Sequence, residues 1–161
     1  MKLLCLAQVL GQCTGDQAVD LLIDILGSEV AEAQQAAGDA LTEMAFARFK
    51  EVALGIERAL GRLEPESAAR SELPFVLLEV GGAEPGGVAK LLEKMLQQQD
   101  AEAVEAAIEA CAELGDGSLV DALKALEKDT RRVELEDDAG ETETVAIGQL
   151  ASEACSILQG G

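Results

Sequence analysis

The chain of 161 residues carries 31 acidic against 12 basic side chains, a net charge of −19, and has no His, Trp or Tyr. That charge repels phosphate backbones, and three Phe offer little for bases to stack on, so nucleic acid is a poor partner. The 48% apolar content is almost all Ala, Leu, Val and Ile, which suits close helix packing in one domain, 1–161, with its own core.

The opening MKLLCLAQVLGQC has the outline of a secretory or lipoprotein signal. Two features argue otherwise. Gln12 stands where a lipidated Cys13 would want a small residue before it, and LLCLAQVLGQC superposes on AAIEACAELGD, a later stretch of the same chain. The segment is therefore read as the first half of a repeat over 1–27, in which LAQVLG leads through TGDQA to the helix VDLLIDIL. In the second pair, 29–61, EVAEAQQAAGDALTEMA runs almost directly into FARFKEVALGIERALG. The third, 64–98, places FVLLEVG, the turn GGAEPGG and VAKLLEKML in the same order. Pro65 suits a helix start there, and Pro74 predicts a kink, or a short helix ending before Ser71 and a new one after it. The fourth, 100–128, repeats the order with ACAELG, GDGS and VDALKAL.

RRVELEDDAGETETVAI then alternates Val133 and Leu135 with charged neighbours and turns at Asp138 to Gly140, which predicts a small β-hairpin near 132–146, or else an acidic loop over 129–146, before a last helix at 147–159. No stretch approaches the roughly 20 apolar residues of a membrane span, so no membrane partner is expected. Asp16, Ser28, Asp100 and Ser118 are candidate helix N-caps, and Gly27, Gly61, Gly81 and Gly115 candidate C-terminal stops.

Equivalent positions Leu10, Met44, Val80, Leu114 and Leu158 are 34, 36, 34 and 44 residues apart. With patterns such as AIEACAELGDGSLVDALKAL, the chain resembles the HEAT-repeat family, in particular the short bacterial HEAT-like repeats related to those of phycobilisome lyases. The resemblance implies an all-α, right-handed α-solenoid of about four two-helix repeats plus a final helix. The first (A) helices would then line the convex side and the second (B) helices the concave side. The sequence departs from the family pattern where a basic residue is often found early in helix A: Gln34 and Gln35 stand there in the second repeat, and Arg70 is the nearest counterpart in the third.

The absence of His removes Ser-His and Cys-His nucleophile pairs and the commonest metal ligand, so no enzyme activity, metal or cofactor is expected. Cys5, Cys13, Cys111 and Cys155 contain no CxxC; aligning Leu158 on Leu114 sets Cys155 on Cys111 in a core-facing slot, and all four are read as buried reduced thiols in a cytoplasmic protein. Charge divides by helix type: A segments total −16 and B segments −1. On the second B helix, Phe46, Phe49, Ala53, Ile56 and Leu60 form a predicted buried face, with Arg48, Glu51, Gly55, Arg58 and Arg62 opposite. Lys90 with Lys94, and Lys124 with Lys128, are i,i+4 pairs on the next B helices. These faces predict a concave ridge holding an acidic or amphipathic segment of a protein partner. Leu3, Leu4 and Leu6 of the first helix, with Leu21 and Ile25 of the second, predict an apolar N-terminal edge that packs against a second copy or further repeats of a longer parent chain. The competing expectation, taken from the resemblance, is an accessory subunit of a bilin-lyase-like or other modifying enzyme.

Overall fold

Apolar residues recurring every three or four positions give most of the chain one buried stripe per helix. In the computed structural model, which describes residues 2–160, these stripes become eight α-helices among the described residues: α1 (Lys2–Leu10), α2 (Asp16–Leu26), α3 (Ala31–Arg62), α4 (Ala68–Val80), α5 (Pro85–Met95), α6 (Ala101–Leu114), α7 (Val120–Lys124) and α8 (Ile147–Gly160). A two-stranded antiparallel sheet, β1 (Arg132–Glu136) and β2 (Thr142–Ala146), precedes α8. Each A-type element packs on the next, α1 on α3, α3 on α4, α4 on α6 and α6 on α8, while α2 lies along α3 and α5 bridges α4 and α6. One buried cluster runs through all of them, from Ala7 to Cys155, with Leu22, Leu41, Leu77 and Leu92 fully enclosed.

The second pair is joined without a loop. α3 spans 32 residues and is broken only at Arg48, whose φ of −147° and ψ of 57° turn the chain between two helical arms. Phe46 therefore belongs to the last turn of the first arm and is 59% exposed, not part of the buried face expected for the second. That face consists of Val52, Gly55, Ile56 and Ala59. Gly55, expected outward, is buried because α2 packs on that side: a Cβ there would collide with Val19, so the missing side chain is what lets the two helices approach.

Pro74 does not interrupt α4, which runs unbroken from Ala68 to Val80, and Pro65 precedes the helix instead of starting it. Pro74 gives up one backbone hydrogen bond, but Leu73, Val76, Leu77 and Val80 around it are all buried, and that packing holds the helix together through the gap. Of the expected N-caps, only Asp100 acts as one, accepting from the Ala103 N–H at 3.1 Å. Gly15 and Val30 precede α2 and α3, Asp116 caps the 3-10 turn Gly117–Leu119 by accepting from the Ser118 N–H at 2.9 Å, and the Ser28 hydroxyl has no partner. Only Gly115 stops its helix in the left-handed region, at φ 74°; Gly27 and Gly81 end theirs at negative φ, and Gly61 lies inside α3.

The hairpin forms as the alternation predicts. Val133 pairs with Val145, both buried, and Asp137 closes the turn by accepting from the Ala139 and Glu141 N–H groups. The fourth B segment is cut short by it: α7 has five residues, so Lys128 lies outside the helix and does not share a helical face with Lys124.

The B-type helices end inside the molecule, where carbonyls need donors. Gln34 Nε2 donates to Leu26 O at 3.1 Å beyond α2. Arg70, only 8% exposed, takes over the end of α3, donating to Leu60 O at 2.8 Å, Leu63 O at 2.5 Å and Glu64 O at 2.9 Å, with Gln98 Oε1 at 3.1 Å as its fourth acceptor. Arg131 does the same after α5, reaching Gln98 O at 2.9 Å and Gln99 O at 2.7 Å. Arg70 has no carboxylate partner among the described residues; the negative end of α3 offsets its burial. We expect Arg70→Met to destabilise the fold by roughly 3 kcal/mol, because three part-buried carbonyls and Gln98 lose their donor at once, and Arg70→Lys to recover less than half of it, since an ammonium cannot reproduce the planar fan. Urea unfolding of the three proteins measures both.

Candidate functional site

The charged residues of the B-type helices are brought together, and they meet acids of their own chain. Arg58 lies against α2, with Nη2 2.9 Å and Nε 3.2 Å from Asp20 Oδ1 and Nη1 3.6 Å from Asp16 Oδ1. The hydrogen bond to Asp20 raises the Arg58 pKa above its ordinary value, opposed by desolvation and helped by the charges of Asp20 and Asp16. Arg62 reaches Asp24 at 2.6 Å one turn further on. In the opposite direction Glu57 takes Lys94 of α5. Adjacent residues Glu57 and Arg58 thus tie the second arm of α3 to α5 on one side and α2 on the other. Arg58, Arg62 and Lys94, expected as open bases of a ridge, thus each meet an acid of their own chain at a solvated surface. Lys90, Lys124 and Lys128 are exposed and have no ion pair among the described residues; Lys90 lies one turn from Lys94 on α5.

The sequence reading missed the other half of this arrangement. Asp16, Asp20 and Asp24 recur at four-residue spacing on α2, matching the spacing of Arg58 and Arg62 on α3. The signal was present in the −3 of one B segment beside the +2 of the next.

Where the B-type helices begin, the surface opens into a groove of about 570 Å³. Its apolar floor is Phe49 and Leu54, the latter 46% exposed, and its walls carry Arg48, Lys50, Glu51, Asp16 and Glu84. Arg48 and Glu51 are held in place there: Arg48 donates to Glu51 Oε2 at 3.1 Å and to Cys13 O at 3.0 Å, and Glu51 Oε1 accepts the Gly15 N–H at 2.6 Å. Arg48 is the break in α3 and Glu51 lies three residues after it, so the kink and the loop before α2 are fastened to each other.

At the N-terminal edge, Leu3, Leu6 and Leu21 are exposed, at 37%, 40% and 44%, and Leu4 is half-buried. Ile25 does not belong to the edge; it is 4% exposed, because α2 is enclosed on more than one side. Val9, 61% exposed, extends the α1 stripe in its place. The thiols divide in the same way. Cys111 and Cys155 are buried, and burial pushes Cys111 up to about 12, whereas Cys5 and Cys13 are exposed, contrary to the expectation for all four. α1 lies at the outer end of the row of helices, with one neighbouring pair to cover it.

Among the described residues no cluster of His, Cys, Asp or Glu is placed to hold a metal ion, and no helix is long and apolar enough to cross a membrane. No protein-family model matches the chain, and no curated protein matches it. Among solved structures, it is similar to a crystal structure of an engineered protein, with 20% identity and a TM-score of 0.44, over 96% of this chain and 70% of that one.

The Arg58–Asp20 pair is about one-third exposed, so a double-mutant cycle with Arg58→Ala and Asp20→Ala should give a coupling of about 0.5–1 kcal/mol at low salt, most of which disappears in concentrated salt. Chemical denaturation in both buffers measures it.

Proposed function

We propose that the chain is a non-enzymatic protein-interaction module, a HEAT-like α-solenoid that holds an amphipathic segment of another protein against the starts of its B-type helices. The observation that carries this reading is the groove over Phe49 and Leu54, an apolar floor between fixed charges of both signs. An extended or helical segment with one apolar face could bury that floor and pair its polar edges with Lys50 on one side and Glu84 on the other. The row of A-type helices, each packed on the next, supports the repeat arrangement. Because the acids of α2 already neutralise Arg58 and Arg62, the partner is an amphipathic segment and not a merely acidic one.

Panning a random peptide library on the immobilised chain should enrich amphipathic sequences. Their affinity should fall about tenfold with Leu54→Asp and with Lys50→Glu, and stay unchanged with Lys128→Glu. No enrichment, or enriched peptides indifferent to Leu54→Asp, would overturn the reading.

The exposed Leu3, Leu6 and Val9 stripe is a second contact in the same reading, the edge on which a second copy or a further repeat stacks. The expected outcome for a second copy is a molar mass by light scattering that rises with concentration, persists in salt, and falls to the monomer value with Val9→Glu.

A further inference from the structure

The acids on the other side of the molecule have no such partners. α6 presents Glu105, Ile108, Glu109 and Ala112 at spacings of three and four, and α8 presents Leu150, Glu153, Ala154 and Ile157 at the same spacings. The two faces enclose a groove of about 370 Å³, to which β1 adds Leu135 and Glu136. Ala112 and Ala154 keep the floor low, and Ile157 stands in it 58% exposed. Around this floor stand Glu105, Glu109, Glu136 and Glu153, none within ion-pair distance of a base among the described residues. Burial, and then the charges of Glu109 and Glu102, push Glu105 up from its ordinary carboxylate value.

We propose that the groove between α6 and α8 is a docking site for a cationic amphipathic helix of a partner protein. The apolar floor calls for hydrocarbon, and the uncompensated rim calls for several positive charges spaced along it. A helix with Leu-type side chains on one face and Lys or Arg beside them supplies both at the spacing of the two walls. Two helices side by side offer the groove into which a third packs. The stretch from Leu150 to Ile157 is about 11 Å long, two helical turns of the partner. Nucleic acid and anionic lipid are repelled by the same rim. The site is separate from the groove over Phe49 and Leu54, so either proposal can fail without the other.

The probe is a synthetic helical peptide of Leu and Lys with Leu at i, i+3, i+4 and i+7, titrated by calorimetry against the full chain beside the same peptide with Glu in place of Lys. The Leu–Lys peptide should bind and the Leu–Glu peptide should not. Affinity should drop about tenfold in the double variant Glu109→Lys, Glu153→Lys and again in Ile157→Asp. It should change less than about twofold in Glu32→Lys, Glu43→Lys, which makes the same change in net charge on exposed positions of α3, and in Leu54→Asp. Methyl NMR of the unaltered protein should place the largest shifts at Ile108, Leu150 and Ile157. Equal losses from the two charge reversals would reduce the effect to bulk attraction and overturn the proposal, as would an unchanged affinity in Ile157→Asp, shifts centred elsewhere, or no binding of the Leu–Lys peptide.

Discussion

Each long B-type helix ends where the next element must pack, so its last carbonyls are taken from water and have to find donors inside the molecule. Gln34 and Arg70 meet that requirement from the helix that follows, for α2 and α3, and Arg131, just before β1, holds the carbonyls of Gln98 and Gln99 in the loop after α5. Arg70 shows the constraint most clearly. It is a buried guanidinium without a carboxylate, stable because it sits at the negative end of a helix and uses four of its donors on oxygens. Arg131, about one-third exposed, is also paired with Asp129 at 2.6 Å. The Arg131 hydrogen bond holds Asp129 below the usual carboxylate value, so this pair's contribution to stability is present above the ordinary Asp range and is lost as pH falls through the depressed value.

Fastening the helix ends in this way fixes the order in which helices lie, and the order decides what the charges do. α2 and α5 flank the second arm of α3, so Asp20, Asp24, Arg58, Arg62, Glu57 and Lys94 are consumed in holding neighbours together. Each such pair is individually weak at a solvated surface. Together they leave that side near neutral and define Phe49 and Leu54 as its open apolar ground. Glu105 and Glu109 of α6, Glu153 of α8 and Glu136 of β1 instead stand around Ile157 with no ion pair among the described residues.

The hairpin was legible because strand alternation and turn chemistry are local: Val133 and Val145 face the core whatever the rest of the chain does. The burial of Cys111 and Cys155 was legible from their core-facing places in the apolar pattern. Pro74, Gly55 and Phe46 were misread for a common reason. A single helix's periodicity assumes one buried face, whereas α4 is carried through its proline by packing, the second arm of α3 is covered on two sides, and the break at Arg48 separates Phe46 from the helix it was assigned to. Ile25 follows the same rule on α2.

By itself the sequence determined the helical content, the hairpin and the division of charge between helix segments, because these follow from spacing and composition along a short stretch. Only the tertiary structure decided which charges are free. Asp20 and Arg58 are 38 residues apart, and nothing local tells a base that will bind a partner from one that will bind its own neighbouring helix. The four glutamates around Ile157 become one site only when α6, β1 and α8 pack together, since the field at a carboxylate is set by what lies within a few ångströms in space and not along the chain.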